Sequence, residues 1–221
     1  MRPTAILTIC FLSLPTWAAE QLFQNEYRSK FEGFGVTTVR TLTLLDDGTY
    51  LFRVKSSNFL ARLEEKSHFR INEEGEYQSL EHSMERSVLG VRREEHTQFD
   101  WDSGEVAFLR RDDMRVLPLE PGYTDRILYQ YLMELDLAQG VEMPSYMVVD
   151  GGRIREFTFE QLGDERIEIA GEEVTAIKLR RITEDDDRET LVWFAPSMDY
   201  RLVQIIHSEK DGSEYEMYFK S

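Results

Sequence analysis

Residues 36–57 read VTTVRTLTLLDDGTYLFRVKSS. Two runs rich in β-branched and aromatic side chains, Val36 to Leu45 and Thr49 to Ser57, flank Asp46-Asp47-Gly48, a turn whose glycine tolerates positive φ. A strand, a tight turn and a second strand predict an antiparallel hairpin. Upstream the period is two: Phe23, Asn25, Tyr27, Ser29 and Phe31 share one face, and Gln24, Glu26, Arg28 and Lys30 take the other. The same punctuation recurs at Glu73-Glu74-Gly75, Asp102-Ser103-Gly104, Asp150-Gly151-Gly152 and Asp211-Gly212. The acidic run Glu184-Asp185-Asp186-Asp187 has the composition of one more hairpin tip. The chain therefore reads as a long meander.

From Thr124 to Ala138 the period changes. Ile127, Leu128, Tyr131, Leu132 and Leu135 recur at spacings of three and four, and Tyr129, Met133 and Leu137 widen the apolar face. Thr124 is placed as the N-cap, Asp125 suits the positive end of the helix dipole, and Gly140 follows the C-terminus. A face this broad must be buried against the sheet. Roughly a dozen strands exceed what an open twisted sheet usually holds before it curls. The predicted fold is mainly β: a large, strongly curved antiparallel sheet, an open or half barrel, with one buried helix near 124–138 covering its concave face. A two-sheet sandwich with the helix at one end is the alternative.

The N-terminus addresses the chain. Arg2 supplies a positive start, and Ala5 to Leu14 form an apolar stretch shorter than the roughly 20 residues a membrane-spanning helix needs. Thr16-Trp17-Ala18 places small residues where signal peptidase reads, so residues 1–18 are expected to be a cleaved signal peptide and residues 19–221 a single all-β domain. Cys10 lies inside that leader, and without it the chain has no cysteine for disulfides, thiolate metal sites or a thiol nucleophile. The expected location is the periplasm. The formal net charge of −16 falls one unit further when Arg2 leaves with the leader. A surface this acidic disfavours nucleic acid and anionic headgroups.

Chemical motifs are scarce. No Gly-x-Ser-x-Gly elbow, phosphate-binding loop, dinucleotide fingerprint or His-Glu-x-x-His helix occurs. His68, His82 and His96 fall fourteen residues apart on successive strands. With residue 86 opposite 92, His82 and His96 face each other, while His68 opposes a residue near Ser79. Only two of the three converge, so no metal site is assigned, and the pair is expected on the polar face. Aromatic residues (Phe31, Phe34, Tyr50, Phe52, Phe69, Phe108, Tyr129, Tyr131, Phe157, Phe159, Trp193 and Phe194) are spread over nearly every element, and most are expected in the core.

Thr124-Asp125-Arg126-Ile127-Leu128-Tyr129, Val149-Asp150-Gly151-Gly152, Glu165-Arg166-Ile167, Gly171-Glu172-Glu173-Val174-Thr175-Ala176 and Leu191-Val192-Trp193-Phe194-Ala195-Pro196, in that order, resemble a bacterial family of secreted proteins, domain of unknown function 3108. Tyr27, Gly35, the Asp47-Gly48-Thr49-Tyr50 turn and Phe99-Asp100 extend the resemblance into the first half. One departure is Leu202, where the family pattern has proline before the valine. The resemblance implies a secreted, mainly antiparallel β protein with no assigned activity, so no functional residue transfers. The architecture is also similar to that of periplasmic lipoprotein carriers, open barrels whose helical lid covers acyl chains.

These observations lead to the expectation of a non-enzymatic periplasmic protein that binds a lipid or other hydrophobic ligand in the concave face, with the helix as lid through Leu128, Leu132 and Leu135. The alternative is an envelope interaction or scaffold protein with a fully packed core. A hydrolase built on a carboxylate pair is the third reading. No catalytic residue, metal ligand or cofactor is assigned. The expected partners are a hydrophobic small molecule or lipid, or an envelope protein.

Overall fold

The structure, a computed structural model, describes residues 19–31, 34–183 and 188–221. The expected signal peptide with its cleavage site, and the acidic run 184–187, lie outside the described residues.

The first meander runs β1 (Glu20–Phe31), β2 (Phe34–Leu44), β3 (Tyr50–Ser57), β4 (Ala61–Ile71), β5 (Tyr77–Val88), β6 (Val91–Asp100), β7 (Glu105–Arg110) and β8 (Asp113–Pro118). After a short strand β9 (Tyr123–Asp125) comes the helix α1 (Leu128–Ala138). The second meander is β10 (Ser145–Asp150), β11 (Arg153–Ile169), β12 (Glu172–Ile182), β13 (Glu189–Ala195), β14 (Arg201–Ser208) and β15 (Glu214–Phe219). All fifteen strands form one sheet in the order β8-β7-β6-β5-β4-β3-β2-β1-β15-β14-β13-β12-β11-β10-β9. The two meanders join where β1 pairs antiparallel with β15, from Tyr27 opposite Phe219 to Phe31 opposite Tyr215. Among the described residues only β9 and β10 pair in parallel.

The sheet is mainly antiparallel, strongly curved and wrapped around one helix, as the alternation and the single helical period require. Its edges β8 and β9 are consecutive in the chain, joined by residues 119–122, so the sheet bends back on itself without a hydrogen-bonded ladder closing it. Side chains close the seam instead. Phe99 and Val106 from one side pack with Leu119, Tyr123 and Val149 from the other. Register irregularities in the β1–β2, β4–β5, β11–β12 and β13–β14 pairings supply local bends.

The helix starts later than its periodicity predicts. Thr124 belongs to β9 and does not cap α1; its hydroxyl is buried without a partner among the described residues. Asp125 takes the capping role from three residues before the first helical residue, its Oδ1 accepting from the Ile127 N–H at 3.0 Å and the Leu128 N–H at 2.9 Å. On one flank of α1, Ile127 and Leu128 pack with Leu42, Phe52 and Phe69. On the other, Met133 and Leu137 meet Tyr27, Val148, Phe159 and Phe194. Trp193 and Ala195 alternate with Val192 and Phe194, so they belong to the opposite face, where they form a smaller cluster with Ile169, Ala176 and Val203. Phe34, counted with the core aromatics from sequence, is exposed.

Gly152, in the β10–β11 turn, meets β7 at the seam. Its φ is +71°, and a Cβ there would lie 2.6 Å from Cδ1 of the buried Phe108 and 3.1 Å from Cδ of Arg115. Gly151 has φ +58° but nothing within 4 Å. Both Gly→Ala changes carry the left-handed backbone penalty of about 1–2 kcal/mol. Gly152→Ala adds an overpacking loss of about 1–3 kcal/mol. Urea unfolding of the two variants should therefore place the Gly152→Ala midpoint well below that of Gly151→Ala, and equal midpoints would show that the seam is not packed here.

Candidate functional site

The concave face is the natural place for a site, and α1 occupies it. Asp125 anchors the start of the helix. Its Oδ2 accepts from the Ser67 hydroxyl of β4 at 2.5 Å and the Ser79 hydroxyl of β5 at 2.8 Å, while the Asp125 N–H donates back to Ser79 Oγ at 3.1 Å. With Oδ1 holding the first turn, this fully buried carboxylate ties helix, β4 and β5 together.

Midway along the helix lies a buried ion pair. Glu134 Oε1 accepts from Arg40 Nη1 of β2 at 2.9 Å, and both side chains are buried, Arg40 completely. The same Nη1 is 3.3 Å from the Tyr27 hydroxyl of β1, which donates to the Leu202 carbonyl of β14 at 2.9 Å. The Leu202 N–H points back to Glu134 Oε1 at 3.4 Å. A proline at position 202 would lack this N–H. Arg40 also lies over the Phe52 ring, 5.0 Å from its centroid, and its Nε and Nη2 have no hydrogen-bond partner among the described residues.

A second polar cluster lies nearby. Arg126 Nε is 3.2 Å from Glu65 Oε2, and its Nη1 is 3.7 Å from Asp150 and 4.0 Å from Glu95. His82 Nε2 is 3.3 Å from the same Glu65 oxygen. Burial pushes the Glu65 carboxyl up, but the His82 bond and the Arg126 charge outweigh it and hold its pKa below the ordinary value. A carboxyl held ionised is a poor proton donor at neutral pH, so Glu65 does not suit the part of a general acid.

The histidine pairing expected from sequence is overturned. Arg86 pairs with Arg93, not residue 92, so Thr97 lies opposite His82 and Ser83 opposite His96. A one-residue change of register sends the two rings to opposite faces. His82 is buried beside Glu65, His96 is exposed, and His68 pairs with Glu81 and bonds Thr49 Oγ1 at 2.7 Å. No group of three or more metal-ligating side chains converges among the described residues.

What remains open is a cleft of about 220 Å³ at the C-terminal half of α1, walled by Leu132, Leu135 and Asp136 and by Tyr77, Trp101 and Tyr146. Tyr146 donates to Asp136 Oδ2 at 2.5 Å, and burial, then that carboxylate, pushes its hydroxyl far above the usual tyrosine range. Burial likewise lifts Tyr131, on the same helix, to about 12. Of the helix residues named from sequence as the lid, Leu128 is buried, whereas Leu132 and Leu135 are half-buried and line the cleft. Arg40, Glu65 and Glu134 carry no sequence signal that separates them from a solvated charge, whereas Asp125 is marked at the helix start by its fit to the dipole.

These features define a β-barrel-like sheet that side chains close and a helix fills. The chain belongs to the family described as Protein of unknown function (DUF3108), whose model matches residues 27–220. Among solved structures it is similar to the crystal structure of a beta-barrel-like protein of domain of unknown function DUF1849 from Brucella abortus, with a TM-score of 0.56, 6% sequence identity and coverage of 91% of this chain and 97% of that one. At that identity the likeness concerns the fold alone. No curated protein matches.

Two predictions follow from the buried charges. Glu134→Ala leaves Arg40 buried and unpaired and should lower stability by about 3–5 kcal/mol, whereas Arg40→Met combined with Glu134→Leu should recover most of it. Additive losses in denaturant unfolding would overturn the coupling. Glu65 has a lower pKa folded than unfolded, so its contribution is complete above the unfolded value of about 4.3 and is lost as pH falls through the folded value. Glu65→Gln should therefore flatten the dependence of unfolding free energy on pH below about pH 5; an acid limb as steep as the parent's would contradict this.

Proposed function

We propose that this protein is a non-enzymatic envelope component, carried to the periplasm by the leader of residues 1–18, that works as a scaffold or interaction protein through its outer surface. The observation that carries this reading is the occupancy of the concave face by α1, fixed at its middle by Glu134 and Arg40 and at its start by Asp125. A carrier keeps that volume for its ligand. The cleft beside the C-terminal half of α1 measures about 220 Å³, against the roughly 300–1,000 Å³ of typical ligand pockets. The paired state of Arg126, Glu65, Glu95 and Asp150 supports the non-enzymatic side of the reading.

The carrier alternative requires α1 to leave its seat, which breaks the bond between Glu134 and Arg40 and exposes Leu128 and Met133. Titration of the purified protein with a fluorescent fatty acid, with native mass spectrometry of the protein as isolated, separates the two. The scaffold reading expects the mass of the chain alone and no saturable uptake. Stoichiometric uptake that quenches Trp101 at the cleft would replace it with the carrier reading.

A further inference from the structure

We infer that two neighbouring hairpin tips at one end of the sheet, those of β3–β4 and β5–β6, form a docking surface for an anionic phospholipid bilayer. This rests on the scaffold reading and names one partner for it.

The tips of β3–β4 and β5–β6 lie side by side. Thr37 pairs with Ser57 and Ala61 with Val88; the Leu89 N–H donates to the Leu60 carbonyl at 3.0 Å, and Asn58 Nδ2 reaches the Gly35 carbonyl at 3.4 Å. The two tips present Phe59, Leu60, Leu89 and Val91 to solvent, with Phe59 87% and Leu89 74% exposed. Leu89 holds φ +49°, a left-handed backbone that disfavours an aliphatic side chain, and no burial offsets that strain.

The charges on these two tips have one sign, while the adjoining β1–β2 turn carries Glu32. Residues 55–62 and 86–93 contain Lys55, Arg62, Arg86, Arg92 and Arg93 and no Asp or Glu. Arg86 and Arg93 stand directly opposite each other across the β5–β6 ladder, an unfavourable pairing in isolation. Arg92 is paired with Glu85 and Glu94, but Lys55, Arg62, Arg86 and Arg93 form no ion pair among the described residues. At the other end of the same strands the turns carry Asp46, Asp47, Glu73, Glu74, Asp100 and Asp102 and no Lys or Arg. A chain with formal net charge −16 therefore has one apolar, basic sector.

Apolar side chains on projecting turns beside unpaired Lys and Arg match the layers of an anionic membrane surface, where hydrocarbon enters the acyl boundary and cations meet phosphates. A second copy of this chain fits less well, because its acidic tips offer opposite charge without apolar side chains to receive Phe59 and Leu89. The contact stops at the tips. The outer face of β4–β6 carries Glu64, Lys66, Glu85, Glu94 and His96, and the sequences of the β1–β2 and β14–β15 turns carry Glu32, Glu209 and Asp211, which confine docking to the β3–β6 sector.

The test is co-flotation of the protein, purified after export, with vesicles of neutral phosphatidylcholine or of phosphatidylcholine mixed with phosphatidylglycerol. Binding is expected only to the anionic vesicles and should weaken at high salt. Each cation near such a surface contributes about fivefold, so Arg86→Gln with Arg93→Gln should weaken it about 25-fold. Phe59→Ser with Leu89→Ser should weaken it at least about tenfold. Thermal midpoints of both variants should match the parent, since all four side chains are exposed, and Asp46→Asn with Glu74→Gln at the other end should not reduce binding. No flotation with anionic vesicles, or equal flotation of tip variants and parent, overturns the inference, as does self-association in light scattering that Phe59→Ser abolishes. The fatty-acid titration judges the scaffold reading separately, because it reports on the concave face and not on the tips.

Discussion

The pairing of Arg40 with Glu134 governs how the sheet and helix fit. A guanidinium with no solvent exposure has few acceptable arrangements, and Arg40 meets a carboxylate, a tyrosine hydroxyl and an aromatic face. Its net contribution to stability is expected to be small, since desolvation offsets most of the Coulomb attraction. Its effect is on geometry. If α1 shifts by one residue, Glu134 rotates about 100° away and leaves both charges unpaired in the interior. Leu-rich contacts alone would tolerate such a shift, because Leu128, Met133 and Leu137 are close in size and chemistry. The ion pair therefore selects one seat among several that hydrophobic burial would accept. Tyr27 and Leu202 extend that selection across the β1–β15–β14 junction where the two meanders meet.

The same economy of contacts explains how the sheet stays unclosed by hydrogen bonds without offering two long free edges. Strands β8 and β9 are short and adjacent in sequence, and the seam between them is filled by Leu119, Tyr123 and the Phe108–Gly152 contact. Asp125 reaches from β9 to Ser67 and Ser79 on β4 and β5, so the last strand of the sheet is bonded through side chains to strands on the other side of the seam. Because that carboxylate also holds the first turn of α1, closure of the sheet and seating of the helix are coupled. An edge covered in this way is protected from pairing with another chain.

Most of the scaffold was legible from periodicity and turn chemistry. The turns at Asp46-Asp47-Gly48, Glu73-Glu74-Gly75, Asp102-Ser103-Gly104 and Asp150-Gly151-Gly152 all separate strands, and the three-to-four spacing from Ile127 onward marks a real helix. The failures have one physical origin. Alternation determines which residues share a face, but it leaves the absolute register to the turn. With Leu89-Gly90 as the turn, Val88 pairs with Val91, and His82 moves from the polar face to the interior. Arg40 and Glu134 were unreadable for a related reason: a charged residue alternating with apolar neighbours looks the same whether it reaches solvent or a partner 94 positions away. Thr124 has the composition of a cap, but the parallel pairing of β9 with β10, a long-range contact, takes it into the sheet.

Net charge is the other quantity that composition hides. An acidic total argues against anionic surfaces only when the charge is spread evenly, because screening limits the reach of each group to about 8–10 Å in physiological salt. Strands of ten residues span about 33 Å, so the two ends of a hairpin are electrostatically separate places. In this chain the β2–β3, β4–β5 and β6–β7 turns at one end carry Asp and Glu, whereas the β3–β4 and β5–β6 turns at the other carry Phe and Leu with Arg and Lys behind them. A partner approaching the second end meets the field of Arg62, Arg86 and Arg93 before that of Asp46 or Glu74. The meander thus converts an alternation of turn types along the sequence into a polarity of the folded molecule. That polarity, and not the total of −16, sets which surfaces the protein can meet.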